Sequence, residues 1–359
     1  TVGSLNVKAS EISVSNASEL KNCVKVNGNT CKLTNNISLT ETVWFNTGGS
    51  VIIDLNGYNI DYAGATNPSA LFGMIGTKVT FTGKGTIDAT AFEDCSGIIM
   101  YGYKQSVKDY TVLTIDKDVT VKTDNHYVIW VVNNGTPSNG GYYSAYGTVV
   151  NISGKLYGEN SGVLYINGNI QDTEGYVPTF NINDGAVLES PNGIGIYAAG
   201  YAKWNFGKAT VKGAESGVGL KAGKFVFNET NVQGTGENNP SPDKWGNGIN
   251  PSGAALQVET NAGYADNIEI EINGGTYESK KGHSFLEYVG ESTVVDMKIT
   301  DGKFKSASGL DVFNVTNNFN IEKFISGGTY SSKILKKYIA DEYTLFADSD
   351  KYVVAKDGD

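Results

Sequence analysis

The chain has 359 residues, including 45 glycines and 21 tyrosines, and carries a formal net charge of −10. The negative charge argues against a nucleic-acid-binding protein, which needs a basic surface to neutralise phosphates. No stretch approaches the roughly 20 consecutive apolar residues that span a bilayer, so we expect no membrane insertion. All 28 basic residues are lysines, a bias typical of AT-rich coding sequences and of a low-GC microbe. No signal peptide is recognisable, which indicates a mature or excised form.

The N-terminal region combines a helix signal with a pair of cysteines. "NASELKNCV", residues 16–24, has the apolar spacing of a short amphipathic helix with Ser18 as its N-cap. Cys23 and Cys31 flank "VNGNT", which is typical of a turn. The pair is compatible with a disulfide or with two buried thiols, and a disulfide would indicate an oxidising, extracellular setting. We expect the remaining cysteine, Cys95, to be buried.

From residue 33 to residue 330 the chain repeats one pattern. An apolar residue is followed by a small or polar turn and by a second apolar residue five or six positions later, as in "INGGTY" (272–277) and "ISGGTY" (325–330). The copies begin at Leu33, Leu55, Phe81, Ile115, Ile152, Ile182, Phe206, Phe227, Ile272, Ile299 and Ile325.

Each copy predicts three short strands separated by turns. Side chains alternate in the first strand, where Phe180 and Ile182 point one way and Asn181 and Asn183 the other. Three strands in each irregular repeat, without helical periodicity between them, predict an all-β, right-handed parallel β-helix of about ten coils. A β-propeller is the alternative, but its blades need four strands and more regular spacing.

The two ends of such a stack expose unpaired strand edges that must be covered. We expect the helix signal to form the N-terminal cap. At the other end, "SSKILKKYI" predicts a short helix, and "YTLFADSDKYVVA" predicts a hairpin. The chain is therefore predicted to be one β-helix domain, 1–359, with an arm and cap at 1–32, coils at 33–330 and a C-terminal cap at 331–359.

Both ends resemble a known family. Residues 17–60 resemble the opening of pectin-lyase-like parallel β-helix domains in adhesin-like surface proteins of low-GC Gram-positive gut bacteria, and are similar to adhesin-like proteins of methanogens. In that family an "ASELKAAL"-type helix precedes "TLTADITL" and "TIDLNGHTI". Here "KLTNNISL" and "IIDLNGYNI" match, with Tyr58 where the family often has histidine. Residues 325–354 resemble the closing unit. The resemblance implies the fold and a cell-surface setting, and it brings no catalytic residues.

A polysaccharide lyase or glycoside hydrolase is the alternative function that this fold raises. Asp61 and Asp88 follow the inward Ile60 and Ile87 in adjacent coils, so we expect them about 5 Å apart, with Lys122 in the next coil. Such a pair could act in retaining hydrolysis or bind Ca²⁺. The competing interpretation is a solvated row in which the lysine balances two aspartates. No other metal or cofactor is indicated.

The third strands are apolar on both faces, which predicts that something covers their outer face. That face is predicted to carry a ladder of Tyr101, Trp130, Tyr165 and Tyr197, covered by loops of this chain, a second subunit or a ligand. Loops at 133–147, 168–178 and 259–267, and an insertion at 234–253, bring further aromatic residues. The candidate ligand-binding residues are Tyr142, Tyr143, Tyr146, Tyr176, Tyr264 and Trp245. Flat aromatic rings stack on sugars and anchor protein contacts; ordinary packing is the alternative.

Together these features predict a non-catalytic, extracellular module, secreted or anchored to the cell surface through regions outside this chain. Its predicted role is that of an adhesin that binds a host glycan or host protein. The alternatives are the carbohydrate-active enzyme and a passive stalk that displays other domains.

Overall fold

The computed structural model describes residues 10–102, 111–132, 145–168, 177–239, 250–259, 267–290 and 293–358. Within these ranges the chain winds through ten complete coils of three strands each, and strands of successive coils pair in parallel. The predicted parallel β-helix is therefore confirmed. The three strand positions form three sheets along the helix, which we name sheet 1, sheet 2 and sheet 3 in the order in which a coil visits them.

Each sheet contains one strand position of every coil, and its strands follow one another in chain order. Sheet 1 consists of Glu11–Val14, Thr30–Leu33, Ser50–Asp54, Lys78–Thr82, Thr111–Ile115, Thr148–Ile152, Thr179–Ile182, Lys203–Phe206, Gly223–Phe227 and the first parts of Ile268–Ser279 and Val295–Lys305. Sheet 2 consists of Ile37–Leu39, Ile60–Tyr62, Gly85–Asp88, Val119–Thr123, Lys155–Gly158, Val187–Ser190, Thr210–Gly213, Asn231–Gly234, the last parts of the two long strands, and Thr329–Tyr330. Sheet 3 consists of Val43–Phe45, Ala70–Ile75, Ser96–Tyr101, Ile129–Val132, Gly162–Asn167, Ile194–Ala199, Ser216–Leu220, Ala254–Glu259, Phe285–Tyr288 and Phe313–Asn314.

The core is a set of inward rows in which like side chains stack on one another. Ile152, Ile182, Phe206, Phe227 and Ile272 pair in succession along sheet 1, and all five are buried. The rings of Phe206 and Phe227 stack with their centroids 4.3 Å apart. The predicted inward row is therefore confirmed over these five coils.

The register differs from the prediction at the second coil. Phe81 pairs with Ile53, two residues before the predicted Leu55. Both residues are buried, so the apolar pattern alone does not choose between them. The turn decides: the Asp54 carboxylate accepts a hydrogen bond from the Asn56 backbone N–H at 2.9 Å, and Asn56 adopts a positive φ of 49°. Leu55 therefore lies at the corner, beyond the end of the strand.

The repeated "GGTY" sequence forms one corner of the helix. Tyr277, Phe304 and Tyr330 pair in register, and their rings stack with centroid distances of 4.9 and 5.1 Å. The Tyr277 hydroxyl donates to the Gly274 carbonyl at 2.8 Å, as the Tyr330 hydroxyl does to Gly327. Each tyrosine thus fills the core and binds the turn that leads to it.

Both ends are capped. The N-terminal helix is Ala17–Cys23, and its N-cap is Asn16, whose side chain accepts from the Glu19 backbone N–H; the prediction of Ser18 is wrong by two residues. Asparagine and serine cap helices about equally well, so composition does not separate them. The Cys23–Cys31 disulfide is formed, and Cys95 is free and buried. Strand Glu11–Val14, which the sequence pattern did not predict, adds to sheet 1 ahead of the first coil.

The C-terminal cap contains the predicted hairpin. Strands Tyr343–Asp348 and Lys351–Lys356 pair antiparallel, and the second also pairs antiparallel with Thr329–Tyr330 at the end of sheet 2. The predicted short helix is a single 3-10 turn, Lys336–Tyr338. Its Tyr338 is buried and closes the end of the core.

We predict that Phe206→Ala lowers the free energy of unfolding by about 3–5 kcal/mol, because the substitution removes a buried ring and leaves a cavity between stacked neighbours. Urea unfolding followed by circular dichroism measures this. Phe346→Ala, at a hairpin phenylalanine that is 43% exposed, is the matched control and should change stability by less than about 1 kcal/mol. A loss of less than about 1 kcal/mol for Phe206→Ala would contradict the stacked core.

Candidate functional site on the outer face of sheet 3

The structure places the three residues of the enzyme alternative side by side on the outer face of sheet 2. Ile60 pairs with Ile87, so Asp61 and Asp88 occupy adjacent positions in the register, and Asp88 pairs with Lys122. The predicted adjacency is therefore present. One oxygen of the Asp88 carboxylate accepts from the backbone N–H and the hydroxyl of Thr90, at 2.9 and 2.6 Å, which gives Asp88 a role in the following turn.

The same row continues along sheet 2 with mixed charges. After Lys122 it runs through Tyr157, Glu189, Lys212, Gln233, Glu278 and Lys305. Glu278 forms ion pairs with Lys280 at 3.1 Å and with Lys305 at 3.2 Å. Burial by itself would raise the pKa of Glu278, but the hydrogen bonds and charges of the two lysines together lower it. The contacts along this outer row of sheet 2 are those expected of a solvated row of mixed charges, without a catalytic role for Asp61 or Asp88.

Most of the predicted ligand-binding residues lie outside the described residues: Tyr142, Tyr143, Tyr176, Tyr264 and Trp245. Tyr146 is described, and it is buried within the main core. The prediction that it is a surface residue is therefore wrong. Its position between Ala145 and the start of strand Thr148–Ile152 places it at a corner of the coil, where an inward ring fills space next to the core.

An aromatic surface covers the outer face of sheet 3. We define it as Trp44, Tyr101, Tyr127, Trp130, Tyr165 and Tyr197. Trp130, Tyr165 and Tyr197 pair in register across three coils, and the rings of Tyr165 and Tyr197 are stacked at 5.3 Å. Tyr127 contacts Tyr165 at 4.6 Å.

The predicted ladder is correct for three of its four members. Trp130 pairs with Ile99, whereas Tyr101 pairs with Val132 in the neighbouring row. Strand Ser96–Tyr101 presents both Ile99 and Tyr101 outward, two residues apart, so the pattern leaves either one as a ladder member. The Tyr101 ring instead stacks on Trp44 at 6.1 Å.

The two ends of the aromatic surface differ in exposure. Trp44, at the N-terminal end, is 43% exposed, whereas Tyr197 is 6% exposed. The Trp44 indole lies across Gly73, its partner in the next coil, and a Cβ at Gly73 would lie 2.4 Å from the indole ring. Gly73 therefore allows the indole to lie flat with its outer side in solvent.

A histidine is packed into the middle of the aromatic surface. The His126 ring lies 5.1 Å from Trp130, and its Nδ1 is 2.6 Å from the Ser96 hydroxyl. Burial lowers the pKa of His126, partly opposed by the charge of Asp94. At neutral pH the side chain is therefore an uncharged imidazole.

Beyond Tyr197 the outer face of sheet 3 becomes polar, which was not predicted from the sequence. Lys221 lies with its Nζ 5.0 Å from the centre of the Tyr197 ring, 3.4 Å from the Tyr197 hydroxyl and 3.9 Å from Glu259 Oε2. The side chains of Lys221 and Glu259 are 2% and 1% exposed. The signal was present in "GLKAG" and "LQVE", where a lysine, a glutamine and a glutamate interrupt otherwise apolar third strands.

Glu215, which is half-buried, adds a second acid beside the tyrosines. It immediately precedes strand Ser216–Leu220, and burial raises its pKa to about 7. Burial also raises the pKa of Tyr127, with smaller contributions from Tyr197, Tyr165 and Glu215. The Glu215 carboxyl group, which lies next to the aromatic surface, therefore titrates near neutral pH.

Comparison with protein-family models and with curated proteins gives no match to this chain. No helix among the described residues is long and apolar enough to cross a membrane. In the same part of the chain, no three histidine, cysteine or acidic side chains are grouped so that they could hold a metal ion.

We predict that Glu215 makes the protein less stable as the pH rises. Its folded pKa is raised from 4.5 to about 7, so the folded state binds the proton more tightly than the unfolded state. The stabilising effect is complete below pH 4.5 and disappears as the pH rises through 7. Melting temperatures measured from pH 4 to pH 8 should fall less steeply for Glu215→Gln than for the wild type. Glu322→Gln, at an exposed glutamate, is the control and should follow the wild type; parallel curves for wild type and Glu215→Gln would contradict the prediction.

Proposed function

We propose that this chain is a non-catalytic, extracellular module that binds a host glycan through the aromatic surface of sheet 3. The observation that carries the proposal is the run of partly exposed rings from Trp44 to Tyr165 on one continuous outer face. Exposed aromatic rings provide flat apolar area for the C–H faces of sugars, and a large exposed indole is costly unless a partner covers it.

Three further features support an extracellular adhesin. The Cys23–Cys31 disulfide is typical of proteins that fold in an oxidising compartment. The resemblance of both ends to pectin-lyase-like adhesin domains points to the same setting. A rigid stack of coils also holds its rings at fixed spacing, which reduces the entropy lost when a ligand binds.

We predict that Trp44→Ala weakens binding to the oligosaccharide selected on a glycan array by tenfold or more, about 1.4 kcal/mol, because it removes the most exposed ring of the surface. Trp130→Ala should weaken binding similarly if the ligand extends across four coils, from the strand of Trp44 to that of Trp130. Gly73→Ala should weaken binding too, because the added methyl group displaces the Trp44 indole. Titration calorimetry with the selected oligosaccharide measures each effect.

Phe346→Ala is the matched control, since Phe346 is as exposed as Trp44 and lies on the C-terminal hairpin. It should leave the affinity unchanged. Unaltered affinity in Trp44→Ala and Trp130→Ala would exclude the aromatic surface as the site. Binding to host proteins without any glycan on the array would overturn the choice of ligand, and absence of both would favour the passive stalk.

The adjacency of Asp61, Asp88 and Lys122 favours a carbohydrate-active enzyme as the second candidate. If the chain were such an enzyme, it would release reducing ends or unsaturated uronides from pectins, mannans, xylans, mucin glycans or glycosaminoglycans. We predict no turnover on these substrates. Turnover that is abolished by Asp61→Asn or Asp88→Asn, in variants that melt like the wild type, would replace the binding module with an enzyme.

A further inference from the structure

Four polar side chains meet in one buried place on the outer face of sheet 3. Lys221 follows strand Ser216–Leu220, and Gln257 and Glu259 belong to the neighbouring strand Ala254–Glu259. Lys221, Gln257, Glu259 and Ser252 are each less than 5% exposed. The chain thus places an amine, a primary amide, a carboxyl group and a hydroxyl together away from solvent.

One carboxylate oxygen, Glu259 Oε2, lies near both the lysine and the glutamine. Glu259 Oε2 lies 3.9 Å from Lys221 Nζ and accepts a hydrogen bond from Gln257 Nε2 at 2.8 Å. The Gln257 carbonyl oxygen accepts a hydrogen bond from the Ser252 hydroxyl at 2.6 Å. Glu259 Oε2 is therefore within ion-pair distance of the amine and hydrogen-bonded to the amide nitrogen, while the Ser252 hydroxyl polarises the amide carbonyl.

Burial changes the chemistry of the lysine. A charged amine and a charged carboxylate are both costly in a low-dielectric site, and transfer of the proton from Lys221 to Glu259 removes both charges. The product is a neutral amine, which is the nucleophilic form of lysine. The Tyr197 ring on one side of Nζ keeps water away from that amine.

We propose that Lys221 and Gln257 form an intramolecular isopeptide bond, with Glu259 as the proton carrier. Lys221 Nζ attacks Gln257 Cδ, and the Ser252 hydroxyl stabilises the developing oxyanion by its hydrogen bond. Glu259 donates to Nε2 the proton that it took from the charged amine. It then accepts the second proton that Nζ loses as the amide forms, so it ends the reaction protonated. The Nζ–Cδ bond forms, the Cδ–Nε2 bond breaks, and ammonia leaves; no oxidation or reduction takes place and no further reactant is needed.

Gln257 is the acceptor that the contacts favour over Asn250. The Asn250 amide also donates to Glu259, but to the other oxygen, Oε1, whereas the Gln257 amide shares Oε2 with Lys221. Gln257 is also the more buried of the two, and its side-chain carbonyl accepts the hydrogen bond from the Ser252 hydroxyl. The reaction needs no ligand on the aromatic surface, so it is independent of the proposed function.

The intact mass of the purified, disulfide-reduced protein tests the proposal. We expect a mass lower than that of the sequence by about 17 Da, the mass of the ammonia that leaves. A tryptic digest should contain one branched peptide that joins Lys221 to Gln257, and trypsin should not cleave after Lys221 because its amine is acylated. A wild-type mass equal to the sequence mass would overturn the proposal, and a branched peptide through Asn250 would overturn Gln257 as the acceptor.

Variants separate the roles of the residues. Lys221→Met and Glu259→Gln should each show the full mass of their own sequence, and Ser252→Ala should show a mixture of cross-linked and open chains. Lys224→Met, at a lysine that is half exposed and pairs with Glu269, is the matched control and should keep the loss of about 17 Da. If Glu259→Gln retains this loss in full, Glu259 is not the proton carrier. Because the wild-type mass is decisive by itself, a variant that fails to fold leaves the test intact.

Discussion

Parallel strands of successive coils pair residue against residue, and the position of every side chain along the molecule follows from that pairing. A slip of one residue would turn the apolar row of a strand outward. The structure holds the register with stacked core rings, such as Phe206 on Phe227, and with corners at which side chains bind the turn. Side chains that are distant in sequence thereby become neighbours at the spacing of one strand, and each outer face becomes a regular row.

The three outer faces have different chemistry because the same register aligns different side chains. On sheet 1, Asn151, Asn181 and Asn205 form a ladder in which each amide donates to the preceding coil, at 2.8 and 2.9 Å for the last two. Sheet 2 carries a row of alternating charge. Sheet 3 carries aromatic rings and, beyond them, the buried Lys221 and Glu259. The amides of sheet 1 and the charges of sheet 2 interact within their own rows, whereas on sheet 3 the Trp44 side chain remains 43% exposed.

The core and the caps could be predicted from the sequence because apolar alternation and turn residues repeat in each coil. The inward row at Ile152, Ile182 and Phe206 followed from alternation alone. Register errors occurred where two candidates of equal polarity lie two residues apart, as with Ile53 and Leu55 or Ile99 and Tyr101. The choice between them depends on the partner strand, which is distant in sequence, and on turn hydrogen bonds such as that from Asn56 to Asp54, which the apolar pattern does not reveal.

The candidate site was harder to predict than the core. Its composition depends on whether each polar residue of a sheet 3 strand points into the core or to the outer face. Lys221 and Glu259 are separated by 38 positions in sequence, and only the pairing of their strands brings them together. Tyr146 shows the opposite error: a tyrosine in a loop-like sequence is packed into the core. Tyrosine has both an apolar ring and a polar end, so its type alone does not decide between surface and interior.

The two ends of the coil stack are closed by different means, and this has a mechanical consequence. A coil contacts only its neighbours, so a force applied along the molecule is carried in series and would peel coils from an end one at a time. At the N-terminal end, peeling removes strand Glu11–Val14 and then meets the Cys23–Cys31 disulfide, which ties the helix to strand Thr30–Leu33. At the other end it meets an antiparallel hairpin held by backbone hydrogen bonds, with no covalent link among the residues described there. Under tension the C-terminal end should therefore yield first, and the coils that carry the aromatic surface should be the last to lose their shape.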